Sequence, residues 1–235
     1  MSLPAASLSS KAERTRDRIL EVALELFREK GYEATTMRII AAAAGVSLGS
    51  SYYYFPSKEH LVQGFYEGMH VGLVEATREA LATERDLKAR LRLVMRARLD
   101  VVAPYHVVSG SLFRTAADPH SPLSPFSEAS GPTRRESIAF LKEVVEGSDA
   151  RIPKDVAPTL PHLLWLYELG LVLFWVHDRS PGQKRSYDLA DDSVDAIVRL
   201  LALAHLPVLR TVRRQILKWV STIVAEGPGA EDIDA

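Results

Sequence analysis

Gly31, Gly45 and Pro56 punctuate residues 31–61, and their spacing restricts what that stretch can build. Helix formers run without a break from Met37 to Ala44, and Gly45 then supplies the positive-φ residue that stops a helix. Val46 is apolar and is expected to pin the turn to the core. Ser47 can cap the next helix by accepting a backbone N–H. That helix, Leu48 to Phe55, ends against Pro56, which disfavours the α conformation at the residue before it. Ser57 caps a further start at Lys58-Glu59-His60-Leu61. The alanines Ala41, Ala42, Ala43 and Ala44 let two helices approach closely. Upstream, Ile19, Val22, Ala23, Leu26 and Phe27 recur at i, i+3, i+4, i+7 and i+8, an amphipathic stripe. Ser10-Lys11-Ala12-Glu13 reads as a capping box at its start, and Gly31 as its stop. Three helices sharing one apolar face make a small helix-turn-helix domain, a shape suited to laying a helix in the major groove of DNA.

The rest of the chain reads as helix too. Expected helices cover 10–30, 36–44, 47–54, 57–82, 85–103, 104–117, 132–147, 154–178, 186–205 and 207–226. Residues 1–9 read as a loose tail and 227–235 as a frayed acidic end. Residues 118–132 hold four prolines, a glycine and several serines, and read as a loop. Residues 178–185 read as a polar turn. No internal repeat and no period-2 strand pattern is evident, so the fold expected is all-α: an N-terminal three-helix domain over 1–60, then a larger helical domain over 61–235.

Composition narrows the function. At 235 residues and 47% apolar content the chain can bury a large core and is not a disordered one. It has no cysteine, which excludes disulfides, thiol catalysis and cysteine-held metals, and fits a reducing, cytoplasmic setting. Residues 1–10 lack the apolar core of a signal peptide. The strongest apolar run, His162 to Val176, is shorter than the ~18 residues of a membrane span and contains Glu168, so no membrane partner is expected. The net charge is −1, and residues 1–60 carry eight Lys/Arg against seven Asp/Glu. DNA binding must therefore rest on where charge is placed, with Arg14, Arg16, Arg18, Arg38 and Lys58 as candidates.

The string Arg18-Ile19-Leu20, Leu26-Phe27, Gly31, Thr35-Thr36, Ile40-Ala41, Ala44-Gly45-Val46-Ser47, Gly49, Tyr52-Tyr53-Tyr54-Phe55 and Ser57-Lys58-Glu59 resembles the N-terminal domain of the TetR family of bacterial transcriptional regulators. Ser51 departs from the family, which often has a larger apolar residue there. The resemblance implies an all-helical homodimer whose small domain binds an operator in double-stranded DNA. It also implies a larger domain that binds a small-molecule effector and makes the dimer, with repression the commoner behaviour. Thr36, Tyr54 and Lys58 match positions that usually touch phosphates. Leu48, Gly49, Ser50 and Tyr52 match the face that usually meets bases. Successive tyrosines on a helix point about 100° apart, so all three cannot face DNA. Tyr53 or Phe55 is expected in the core, with Tyr52 and Tyr54 towards DNA.

In the larger domain, the helix at 162–178 is apolar on nearly every side and must be covered all round. A second copy is the natural cover, through a four-helix interface with two helices from each chain. An effector pocket is expected among the middle helices, with Tyr66, Met69, His70, Met95, Tyr105, Phe113, Phe140, Trp165, Glu168 and Trp175 as candidate lining; each has ordinary core packing as its alternative. A carboxylate in an apolar helix is costly unless paired. Glu168 is therefore expected to meet an arginine, such as Arg179 or one from the partner chain, in preference to a ligand. No cofactor, metal or catalytic role is expected. Ser109-Gly110-Ser111 is no nucleophile elbow, no P-loop, H-E-x-x-H or G-x-G-x-x-G is present, and the seven histidines show no close metal-ligand pair. A DNA-architectural protein without an effector would use the same reading head, but a domain this large exceeds what dimerisation needs.

Overall fold

The computed structural model describes residues 11–206 together with Arg214, Gln215, Leu217 and Lys218. The expected tail 1–9, the Ser10 end of the capping box and the stretch 227–235 lie outside the described residues. So does the expected helix 207–226, apart from those four residues, which are helical. The chain divides into two compact units, Met1–Tyr66 and Glu67–Ala235, and the division falls inside a helix.

In the first unit α1 (Lys11–Lys30) buries Ile19, Ala23, Leu26 and Phe27 along the expected stripe. Gly31 ends it at φ +84°, with its N–H on the Phe27 carbonyl at 3.0 Å. α2 (Met37–Ala43), α3 (Leu48–Tyr54) and the opening turns of α4 (Lys58–Thr83) complete the unit. Ile40, Phe55, Leu61 and Val62 are buried in the same unit. Of the four alanines, Ala41 and Ala44 are buried while Ala42 and Ala43 are exposed, so only two serve close packing.

The second unit holds α5 (Leu87–Val102), α6 (His106–Ala116), α7 (Gly131–Glu146), α8 (Leu160–His177) and α9 (Lys184–Leu203), with single 3-10 turns at Ala103–Tyr105 and Pro181–Gln183. The described residues contain no strand, and the fold is all-α. One core runs through Leu91, Val94, Leu99, Leu141, Leu164, Leu171 and Val194. α5 packs on α7, α8 and α9, and α8 on α6, α7 and α9.

A ladder of charge joins α5 to α9. Lys88, Arg92 and Arg96 stand at i, i+4 and i+8; Asp191 and Asp195 stand at i and i+4. Lys88 reaches Asp195 at 2.9 Å, Arg92 reaches Asp195 at 2.5 Å, and Arg96 reaches Asp191 at 2.8 Å. The pairs run in opposite order along the two helices, which sets their antiparallel register.

Several boundaries differ from expectation. α8 begins at Leu160 rather than 154: Pro158 and Pro161 have no N–H to donate to the carbonyls four residues back, so a continuous helical ladder cannot run through them, and residues 154–159 form turns. α9 begins at Lys184, two residues early, after a turn that holds Gly182 at φ +61° and Gln183 at φ +50°. The segment between α6 and α7 is a loop as expected, but an ordered one. Ser121, Ser124 and Ser127 each accept a backbone N–H two or three residues ahead. Backbone bonds from Ser124 to Ser121 (3.0 Å) and from Ser127 to Ser124 (2.9 Å) stack these turns. The tandem Ser-Pro-Leu and Ser-Pro-Phe is therefore a short structural repeat that the sequence reading missed. It buries Leu123 and sets Phe126 edge-on to Trp165 at 5.5 Å.

α8 is 18 residues long with a mean hydropathy of 1.3, enough by length and composition to cross a membrane. The expected exclusion by length therefore fails. Packing is what marks α8 as a core helix: Leu164, Trp165, Leu171 and Trp175 sit in the common core, and Glu168 is ion-paired.

Candidate nucleic-acid interface

Local chemistry builds the reading head. Thr36 caps α2, its side chain accepting the Ile39 N–H at 3.3 Å. α2 closes through Ala44 N–H to Ile40 O at 2.8 Å, and the turn continues with Val46 N–H to Ala41 O at 3.0 Å. Gly45 sits at φ +64°, a left-handed position that favours glycine. Val46 is half-buried. Ser47 caps α3 by accepting the Ser50 N–H at 3.0 Å, and Phe55 leaves α3 in an extended conformation ahead of Pro56.

The faces of α3 follow its helical period. Ser51 and Phe55, four apart, point inward at 0% and 2% exposure. Ser51 satisfies its buried hydroxyl by donating to Leu48 O at 2.8 Å; a small residue here seats α3 against the unit's core. Tyr53 lies about 200° around from Ser51 and is 81% exposed, the most exposed of the three tyrosines. Of the alternatives Tyr53 or Phe55 for the core, Phe55 is the one buried and Tyr53 is outside. Gly49 and Tyr52 are exposed beside Tyr53, while Leu48, Ser50 and Tyr54 are half-buried. Tyr54 packs edge-on to Tyr53 at 5.2 Å.

Thr36, Arg38 and Ser47 are exposed around α3, and Lys58 is half-buried. Arg16 stacks its guanidinium on the Phe55 ring at 5.0 Å, so one of the charges proposed for DNA braces the inner side of α3. Tyr32 was not singled out from the sequence. It is 3% exposed, its hydroxyl donates to Glu59 Oε1 at 3.1 Å, and its carbonyl accepts from Lys58 Nζ at 2.7 Å. Burial, and then the neighbouring Glu59, push the Tyr32 phenol well above its ordinary range.

Among the residues expected to line an effector pocket, Tyr66 falls in the first unit and the other nine in the second. His70, Met95, Phe140, Trp165, Glu168 and Trp175 are buried; Tyr66, Met69, Tyr105 and Phe113 are half-buried. Glu168 does meet an arginine, but it is Arg98 on α5 rather than Arg179, with both side chains about nine-tenths or more buried. Arg98 also faces the Met69 carbonyl at 3.5 Å. His70 stands in the same neighbourhood, with Ser137 Oγ at 3.4 Å and the Phe140 ring edge-on at 6.1 Å. Burial, and then the Arg98 charge, hold its imidazole below the ordinary value. Trp175 instead lies edge-on to His106 at 4.7 Å, and Phe113 edge-on to His177 at 6.4 Å. A sequence signal for Arg98 existed. Arg90 and Arg98 fall in register with the apolar stripe Leu87, Leu91, Val94, Met95, where a cation is out of place unless it has a buried partner.

Residues 19–64 match the family described as bacterial regulatory proteins, tetR family. Residues 90–221 match the one described as Tetracyclin repressor-like, C-terminal domain. Among curated relatives, the HTH-type transcriptional repressor KstR2 of Rhodococcus jostii is 37% identical over 103 residues, which is 44% of this chain and 50% of that protein. KstR2 of Mycobacterium tuberculosis is 30% identical over 145 residues, 60% of this chain and 72% of that protein. The chain thus spans half the length of the first relative and about seven-tenths of the second. Among solved structures, the TetR-family repressor FadR of Thermus thermophilus, in complex with lauroyl-CoA, superposes with a TM-score of 0.58 at 26% identity. That match covers 81% of this chain and 95% of FadR. A TetR-family regulator from Syntrophomonas wolfei shares the fold at a TM-score of 0.64 and 24% identity, covering 83% and 98%.

Proposed function

This chain belongs to the TetR family of bacterial regulators, and on that premise we propose that it is a cytoplasmic homodimeric repressor that binds a palindromic operator and leaves it on binding a small effector. One observation carries the reading. α3 is capped at both ends, seated on Ser51 and Phe55, and turns Gly49, Tyr52 and Tyr53 to solvent. A short rigid helix with an open, polar-aromatic face has the shape the major groove admits.

Within this reading, Leu48, Gly49, Ser50 and Tyr52 face bases, and Thr36, Arg38, Tyr54 and Lys58 hold phosphates, with Ser47 setting the start of α3. Two copies would place their α3 helices roughly 34–36 Å apart, one turn of duplex. The domain over 61–235 would carry the effector, with the buried Arg98–Glu168 pair and His70 as its polar pole. α4 has residues in both units, so an effector that prefers one placement of α4 would bias operator binding. It can do so only by its difference in affinity between the two states.

Selection of bound duplexes from a random pool tests this directly. A recovered site with two inverted half-sites about 10 base pairs apart is the expected result. Ser50→Ala should then change the preferred bases, and Tyr54→Phe should weaken all sequences alike. Recovery of no enriched sequence, or of a single half-site, would count against the proposal.

A further inference from the structure

Lys58 is the first residue of α4, and its ammonium is not free to wander. It donates to the Tyr32 carbonyl at 2.7 Å and sits 3.9 Å from the centre of the Tyr32 ring, over its face. Tyr32 is itself held on three sides. Its ring leans on Phe27 of α1 at 5.1 Å, its hydroxyl donates to Glu59 on α4 at 3.1 Å, and its carbonyl also accepts the Thr35 N–H at 3.3 Å. Thr35 leads directly into Thr36, the cap of α2. One buried residue, by its side chain and its carbonyl, thus ties the end of α1, the start of α2 and the start of α4. The last two flank α3.

An ammonium has three donors, and the Tyr32 carbonyl takes one. Lys58 remains half-exposed, so its ammonium keeps donor capacity for a further acceptor with the side chain already ordered. A free lysine gives up rotamer entropy when it is fixed. A lysine held over an aromatic face has surrendered much of that during folding, where the cation–π attraction compensates it.

We propose that Tyr32 is a positioning residue for DNA binding, its ring face and carbonyl holding the Lys58 ammonium pre-oriented for a backbone phosphate. The inference rests on the reading that Lys58 meets a phosphate, and it adds the residue that makes the contact cheap. Tyr32 itself touches no DNA. Glu59 serves the clamp by fixing the phenol, not by contacting the duplex.

The test uses the full chain and the duplex recovered by the random-pool selection, titrated across a range of KCl concentrations. Four proteins are compared with the unaltered one: Lys58→Gln, Tyr32→Phe, Tyr32 replaced by pentafluorophenylalanine, and that replacement combined with Lys58→Gln. Pentafluorophenylalanine keeps the ring's shape and reverses the charge of its face, so packing is retained while attraction for a cation is lost. Lys58→Gln should lower the salt slope by about 0.9, one phosphate's worth. Tyr32→Phe keeps the aromatic face and should bind within about twofold of the unaltered protein, since the hydroxyl serves only the ring's placement. The fluorinated ring should weaken binding roughly threefold to tenfold, the cost of ordering one long side chain at the interface. That loss should vanish on the Lys58→Gln background. In the DNA-free protein, the Lys58 Hε resonances should lie upfield from the ring current and keep that shift in Tyr32→Phe. Equal weakening by the fluorinated ring with and without Lys58 would show a packing effect and overturn the proposal. So would undiminished binding by the fluorinated protein, or an unshifted Hε. An unchanged salt slope in Lys58→Gln would instead strike the phosphate reading itself, and the role of Tyr32 with it.

Discussion

Glu168 and Arg98 are 5% and 8% exposed and compensate each other's charge inside the second unit. Removing one partner strands the other, which is costlier than removing both. Glu168→Ala should lose about 3–5 kcal/mol in urea unfolding, whereas Glu168→Leu with Arg98→Met should come close to the unaltered stability. A loss of similar size in the double variant would mean that the pair is not behaving as a buried ion pair. Asp178 sets a different expectation. Burial works to raise its pKa, but the N–H groups of Ser180 and Ser186 and the Ser186 hydroxyl, all at 2.8–2.9 Å, outweigh it and pull the carboxyl from 3.8 to about 2. A depressed folded pKa stabilises the fold above the unfolded value and is lost as pH falls through the folded one. Stability should therefore drop between about pH 4 and pH 2, and Asp178→Asn should flatten that limb in acid titrations followed by circular dichroism. At this scale the sequence was read unevenly. Phe55 as core and Glu168 as a paired carboxylate were legible, because period and polarity are local. Tyr53 was ambiguous, because period alone does not say which of two aromatics is inside until the neighbours of Ser51 are known.

Between elements, Arg90 ties helices together. Its guanidinium is 4% exposed and donates to the carbonyls of Val144 (2.6 Å), Leu81 and Glu84 (2.7 Å each) and Glu143 (3.3 Å). These lie at the C-terminal ends of α4 and α7, where unpaired carbonyls and the helix dipole welcome a cation. No carboxylate is needed to compensate it. Gly147, just after α7, leaves room for this arrangement. A Cβ there would stand 2.3 Å from Arg90 Nη2 and 3.1 Å from the Glu143 carbonyl. Gly147→Ala should cost about 1–3 kcal/mol, the range for forcing atoms into a filled site. Gly68→Ala, on an exposed turn of α4 with nothing within 4 Å of the added methyl, should be neutral or gain up to about 1 kcal/mol. Thermal unfolding of the two separates crowding from glycine propensity; equal melting points would refute the account. A helix start was legible where a cap and a glycine stop stand together, as at Ser47 after Gly45; the Thr36 and Asp86 caps were not read. Starts were misplaced where proline decided, as at Pro158. The serine–proline turns escaped notice because each is only three residues long.

For the whole molecule, the dimer is the open quantity. α8 exposes Gly170, Leu173, Phe174 and His177 at i, i+3, i+4 and i+7, and α9 exposes Leu189, Ala196, Leu200 and Leu203 along one side. Under the proposed function these stripes meet their copies in a second chain. Phe174→Asp places a charge at the centre of that face and should weaken self-association at least about tenfold, the scale of an interface hot spot. Sedimentation would record the monomer, and operator affinity should fall with it. An unaltered sedimentation profile would put the interface elsewhere. What the sequence by itself determined was the all-α architecture, the helix-turn-helix head and the position of its turn. Glycine stops, serine caps and apolar period act within a turn or two of the chain, so they can be read without neighbours. Only the tertiary structure decided which charges meet: Arg98 with Glu168 across 70 residues, Lys58 with Tyr32 across 26. Such pairs depend on which faces pack together and how far each slides along the other, and no local pattern encodes that choice.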